Sequence, residues 1–228
     1  MTAPTPCSST PTVTSSGTTV TTPTLTLSPH QIGDYLLIFL AVKNVTTVTA
    51  PGTWGTIKSG NSGGVFLGLY QQSTLAASNA ETAPQFTFNT GCTYTAHAYS
   101  IPMPNSGAIN RAGVNNAVGT SATADPPSNT SFGGTQDNLW FAAAAVNINT
   151  AINSGPSGYP NFTASPGANG SSVGLGTAWK QALASVTEDP GTFGLGASVN
   201  WNAGTLAIWD PVTGGGSIRV PTNMLLGV

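Results

Sequence analysis

QDNLWFAAAAV, Gln136 to Val146, sets four alanines in a row behind Leu139, Trp140 and Phe141. By propensity alone it reads as a helix, because alanine is the strongest helix former. A second stretch, GDYLLIFLAVKN from Gly33 to Asn44, changes that reading. Laid over QDNLWFAAAAVN at an offset of 103, it pairs Asp34 with Asp137, Leu36 with Leu139 and Asn44 with Asn147. Tyr35 to Val42 is a short apolar run between turn formers, the pattern of a buried strand. Both stretches are therefore expected to be strands, with the alanines standing where Phe39, Leu40, Ala41 and Val42 stand in the first.

Other blocks follow in the same order. GTTVTTPTL from Gly17 meets GTSATADPP from Gly119, and APGTW ending at Trp54 meets GPSGY ending at Tyr159. ASNAETAPQF from Ala77 meets ASVTEDPGTF from Ala184, and TAHAY from Thr95 meets TLAIW from Thr205. Five blocks with a slowly drifting offset point to two related halves. The expected organisation is an arm over 1–16, a first β half over 17–104, a second over 105–213 and a C-terminal arm over 214–228. Strands are expected near 18–27, 35–42, 54–58, 64–71, 84–89 and 93–101, then near 119–125, 138–147, 159–164, 172–180, 191–199 and 203–210. Short strands separated by Gly, Pro and Asn predict an all-β antiparallel sandwich or jelly roll, as one joint body or two.

Composition agrees and excludes several functions. The chain has 228 residues with 28 Gly and 17 Pro, but only five basic and seven acidic side chains. Lys43, Lys58, Arg111, Lys180 and Arg219 are scattered singly, so no basic patch is present to neutralise phosphates. Nucleic acid and anionic membranes are disfavoured as partners. The N-terminal MTAPTPCSSTPTVTSSG lacks the basic and apolar regions of a signal peptide, which predicts synthesis in a cytoplasm. The longest apolar run is too short to span a membrane. Cys7 and Cys92 form no metal spacing and are read as free thiols. So little charge leaves a surface poorly protected from association, which suggests that other protein covers much of it.

Alternation along Tyr35–Val42 sends Tyr35, Leu37, Phe39 and Ala41 to one face and Leu36, Ile38, Leu40 and Val42 to the other. Both faces are apolar, whereas a two-layer sandwich buries only one. The second face is expected to be covered by an arm, the other half or a neighbouring subunit, with a neighbour or arm favoured and Tyr35, Leu37 and Phe39 as assembly contacts. The C-terminal GGGSIRVPTNMLLGV offers further anchors in Ile218, Val220, Met224, Leu225 and Leu226 behind a glycine hinge. Neither arm has the composition to fold by itself, so each is expected to be held by a partner.

Chemistry-bearing motifs are few. GNSGG, Gly60 to Gly64, fits G-x-S-x-G, and Ser62, Glu81 and His97 follow the chain order of an α/β-hydrolase triad. A nucleophile elbow needs a strand running into a helix, however, and GNSGGVFLGLY reads as a glycine turn entering a strand. Asp34 and Asp137 precede equivalent strands, where aspartate bonds turn backbone. Glu188 and Asp189 lack the further oxygen donors of a calcium site. The GLG triplets at Gly174 and Gly194 lack a third glycine and a helix, so no dinucleotide is implied. No catalytic, metal or cofactor residues are assigned. Trp201 has no counterpart in the first half and is the candidate for exposed contact with a glycan.

GDYLLIFLAV, TVTAPGTW, VFLGLYQQ, PQFTF and YTAHAYSI resemble a pattern of structural proteins in tailed bacteriophages: a GD-x-L-L strand, an AP-x-G-W turn, an aliphatic strand and a closing strand. The resemblance covers most of 17–101 and, more faintly, 119–210, where Gln136 replaces the first glycine and Tyr159 the tryptophan. It implies a virion β-sandwich that is not an enzyme, a decoration or cement protein on the outer capsid surface. Its partners would be the major capsid protein and copies of itself, as a trimer or another homo-oligomer. A tail fibre or tail-tip adhesin, a carbohydrate-binding module, and a serine hydrolase using Ser62 are the alternatives.

Overall fold

A computed structural model of the chain describes residues 3–72, 75–77, 83–104, 111, 114–131, 135–147, 150–165 and 173–210. The described chain is all β and antiparallel. Its first part forms β1 (Thr12–Val20), β2 (Asp34–Lys43), β3 (Val48–Thr49), β4 (Trp54–Ser62), β5 (Val65–Gln72), β6 (Thr87–Phe88) and β7 (Cys92–Pro102). Its second part forms β8 (Asn115–Ala124), β9 (Asn129–Thr130), β10 (Gln136–Val146), β11 (Ile152–Ser154), β12 (Asn161–Ser165), β13 (Gly174–Ser185), β14 (Thr187–Glu188) and β15 (Phe193–Trp209).

One sheet runs β1-β7-β2-β5-β4; the other runs β8-β15-β10-β13-β12, with β11 also pairing β15. Each therefore places its five long strands in the order first, fifth, second, fourth, third. The sheets pack face to face, with β5 over β10 and β15, β2 and β7 over β13, and β4 over β15 and β8.

The two-sided apolar strand is explained inside the chain. Tyr35, Leu37, Phe39 and Ala41 join Leu139, Phe141, Ala143, Ala145, Leu206 and Ile208 in the layer between the sheets. Leu36, Ile38, Leu40 and Val42 face outward and are covered by Leu25, Val45 and Phe86 from the chain's own loops and by Phe88 from β6. Trp140, Ala142, Ala144 and Val146 face outward from the second sheet under Ile152, Tyr159, Phe193 and Trp201. No neighbouring subunit or arm is needed to bury either face, which corrects the expectation from sequence. Leu36 lies on an outer face and Leu139 on the inner one, so the offset of 103 is out of phase. A strand slipped by one residue exchanges its faces, and identities among small and aliphatic residues do not reveal the slip.

Two further boundaries differ. β1 begins at Thr12, so residues 12–16 belong to a sheet and not to an arm, and Thr12 to Ser16 pair with Ala98 to Tyr94. The strands expected near 191–199 and 203–210 are one strand of 17 residues, because residues 200–202, expected to separate them, stay extended beside β8. The C-terminal contacts Ile218, Val220, Met224, Leu225 and Leu226 lie outside the described residues, as does Glu81.

Candidate functional site

GNSGG is a two-residue hairpin. Ser62 pairs with Val65, and Gly63 and Gly64 take φ of 56° and 79°, the left-handed pair that joins twisted strands tightly. The second sheet grips this hairpin. Asn202 Nδ2 donates to the Gly60 carbonyl at 2.9 Å, while Asn200 and Asn147 donate to the Gly63 carbonyl at 2.9 and 2.8 Å. Asn61 Nδ2 also donates to the Val45 carbonyl. Ser62 thus sits in a strand-to-strand turn, and no helix follows it.

His97 is fully buried between the sheets. Its Nδ1 meets Thr177 Oγ1 and its Nε2 meets Ser165 Oγ, both at 2.8 Å, and burial lowers its pKa to about 3. Tyr99 Oη shares Thr177 Oγ1 at 2.7 Å, and Thr95 Oγ1 donates to the Val173 carbonyl at 3.1 Å. These bonds join β7 to β12, β13 and the residue before β13. A neutral imidazole has one donor and one acceptor, and both are committed here. The histidine that would complete a triad with Ser62 is instead a strut between the two sheets.

The N-terminal segment forms a third seam. Gln181 Nε2 donates to the carbonyls of Ala3 and Pro4 at 2.7 and 3.2 Å and to Thr5 Oγ1 at 2.7 Å. Trp179 Nε1 donates to the Ser9 carbonyl at 3.2 Å, and the Cys7 amide donates to the Ser100 carbonyl at 2.9 Å. Residues 3–11 therefore strap β13 of one sheet to β7 of the other. The expected partner-held arm is, over these residues, part of the chain's own body. Beneath the strap, Asp34 is buried and its Oδ2 accepts from Ser100 Oγ at 2.6 Å, the Gln31 amide at 2.9 Å and Cys7 Sγ at 3.6 Å. A cleft of about 240 Å³ opens beside Cys7, Thr10, Ser28, Tyr99 and Ser100. Desolvation raises the Cys7 pKa above the ordinary thiol value, which disfavours the nucleophilic thiolate. Removal of residues 1–11 should lower the stability of the isolated chain by roughly 1–3 kcal/mol, the net worth of several hydrogen bonds. Urea denaturation reads this directly; an unchanged midpoint would mean that the strap belongs to a partner.

The remaining candidates are also engaged. Tyr35, Leu37 and Phe39 are fully buried between the sheets and have no surface to offer another chain, so their assignment as assembly contacts is corrected. Trp201 is 7% exposed, and its Nε1 donates to Ser121 Oγ at 2.9 Å. Its ring lies against Gly119, where a Cβ would come within 2.5 Å of the indole. It packs on the outer face of its sheet and presents no platform to a sugar. Asp34 bonds turn backbone as expected, whereas Asp137 Oδ1 accepts from the amide of Ala184 on β13. Glu188 forms a 2.5 Å ion pair with Lys180, whose ammonium lies 4.9 Å from the centre of the Tyr159 ring. Among the described residues, no group of three or more His, Cys, Asp or Glu is placed to hold a metal ion.

Comparison with protein-family models, curated proteins and solved structures returned no match to the chain. The functional reading therefore rests on the residues and their geometry.

Proposed function

We propose that the chain is a non-enzymatic structural protein of a bacteriophage virion, a decoration or cement protein that binds the outer capsid surface and bridges neighbouring capsid subunits. The resemblance of GDYLLIFLAV, APGTW and YTAHAYSI to phage structural proteins motivates the setting. The observation that carries the assembly role is the state of the strand edges. β1 (TVTSSGTTV), β8 (NNAVGTSATA) and β12 (NFTAS) lie at sheet edges and contain no charged residue. Edges of monomeric proteins are commonly blunted by charge, which hinders pairing with other chains. Here Thr, Ser, Asn and Gly leave the edge groups open to contact. The Ser62 turn, His97 and Trp201 serve the fold, which favours a body that binds by its surface over one that turns over a substrate.

The residues 218–226 remain the proposed capsid anchors, each apolar side chain contributing about 25 cal/mol per Å² buried before the cost of association. The test adds purified chain to capsids stripped of it and measures occupancy and the temperature at which particles release their genome. Full-length chain should bind and raise that temperature, while a chain ending at residue 213 should bind weakly. Absence of binding by the full-length chain would overturn the proposal.

A further inference from the structure

We infer that β8 is a self-association edge, and that two copies pair antiparallel along Asn115–Ser121 about a two-fold axis at Val118. This deepens the assembly role proposed above by naming the contact between copies.

The four lateral edges are not equivalent. β4 carries exposed Lys58 and a register break beside it, so two copies would bring like charges together. β12 has five residues. β1 keeps straight pairing only over Thr12–Ser16 before its register shifts. β8 pairs with β15 without a break from Asn115 through Ser121, the longest uncharged run among these edges. Among the described residues, no strand pairs with its other side. The unpaired amides and carbonyls of an extended edge are best satisfied by another extended strand.

Composition selects a second copy as that strand. Val118 is the midpoint of the straight run and is 50% exposed, one of few large apolar side chains left outside. A two-fold through it buries the valine against its counterpart. Every residue of the run thus meets an uncharged residue of the second copy. On the outer face, Trp201 lies against Gly119 and is held by Ser121, which stiffens the strand before it pairs.

Sedimentation equilibrium of the full chain should give twice the 22.9 kDa chain mass. Val118→Lys places like charges on the axis and should weaken the dimer roughly tenfold or more, with the unfolding midpoint preserved because the site is half exposed. Val13→Lys, at the β1 edge, should leave the dimer intact. In a Cys7→Ser background, Val118→Cys should form a disulfide-linked dimer on oxidation. A wild-type chain that stays monomeric at its solubility limit, a Val118→Lys chain that dimerises like wild type, or a Val118→Cys chain that does not cross-link would each overturn the inference. These readouts use free protein, so their failure is distinguishable from failure to bind the capsid, which is measured separately.

Discussion

Phe141→Ala should destabilise the whole chain by roughly 3–5 kcal/mol, the usual cost of emptying a buried phenylalanine site. Phe141 is fully buried, with its ring centre 5.4 Å from that of Phe39 and 4.9 Å from that of Tyr99. Phe39 and Tyr99 are themselves 6.0 Å apart in an edge-to-face arrangement. Phe141 belongs to the second sheet and the other two to the first, so its removal opens a cavity in the layer both sheets share. The expected result in urea is one transition at a lower midpoint, with amide protection in β5 and β13 lost together. Loss of protection in the second sheet alone would show two independent bodies. The alanines next to Phe141 have a packing role of their own. Ala143 and Ala145 reach the shared layer and Ala142 and Ala144 the outer one, and their small side chains leave room for the aromatics around them.

Acid should weaken the same joint. His97 has a folded pKa lowered by burial to about 3, against 6.5 when solvated. Between these values the unfolded chain binds a proton that the folded chain does not, so stability rises with pH across the window. The contribution is fully present above about pH 6.5 and is lost as pH falls toward about 3, by up to ~1.4 kcal/mol per pH unit. On that slope the loss by pH 4 is on the order of a few kcal/mol. Urea midpoints measured from pH 7 to pH 4 should therefore fall more steeply for the wild-type chain than for His97→Gln. Carboxylates titrate in both proteins, so the difference isolates the histidine. Equal slopes would contradict a neutral, buried His97 between the sheets.

Sequence reading located the central strands because hydrophobic pattern is local. Tyr35 to Val42 announces burial on both faces, the overlay marks Leu139 to Val146 as a strand, and GNSGG announces a tight turn that its two left-handed glycines then form. What buries each face is not local. Nothing in Tyr35, Leu37 or Phe39 says whether the covering layer comes from the same chain, and low charge favoured the wrong choice. Asn200 and Asn202 fall in the gap left between two expected strands; within β15 they send amides across to Gly63 and Gly60. The Thr- and Pro-rich N-terminus looked like a partner-held arm because the acceptors for Gln181 and Trp179 are its backbone carbonyls, which composition does not reveal. His97, named in the sequence only as the third member of a triad order, is a three-strand junction. The partners that would have disclosed it, Ser165 and Thr177, are far off in the chain.

The central claim is that this sandwich acts as a packed body on a particle surface and not as a catalyst. Reconstruction of the intact virion tests it most directly. The account predicts density for the two-sheet body on the outer capsid surface, over junctions between capsid subunits, with residues 218–226 against the capsid. A virion that contains no copies of the chain would contradict it.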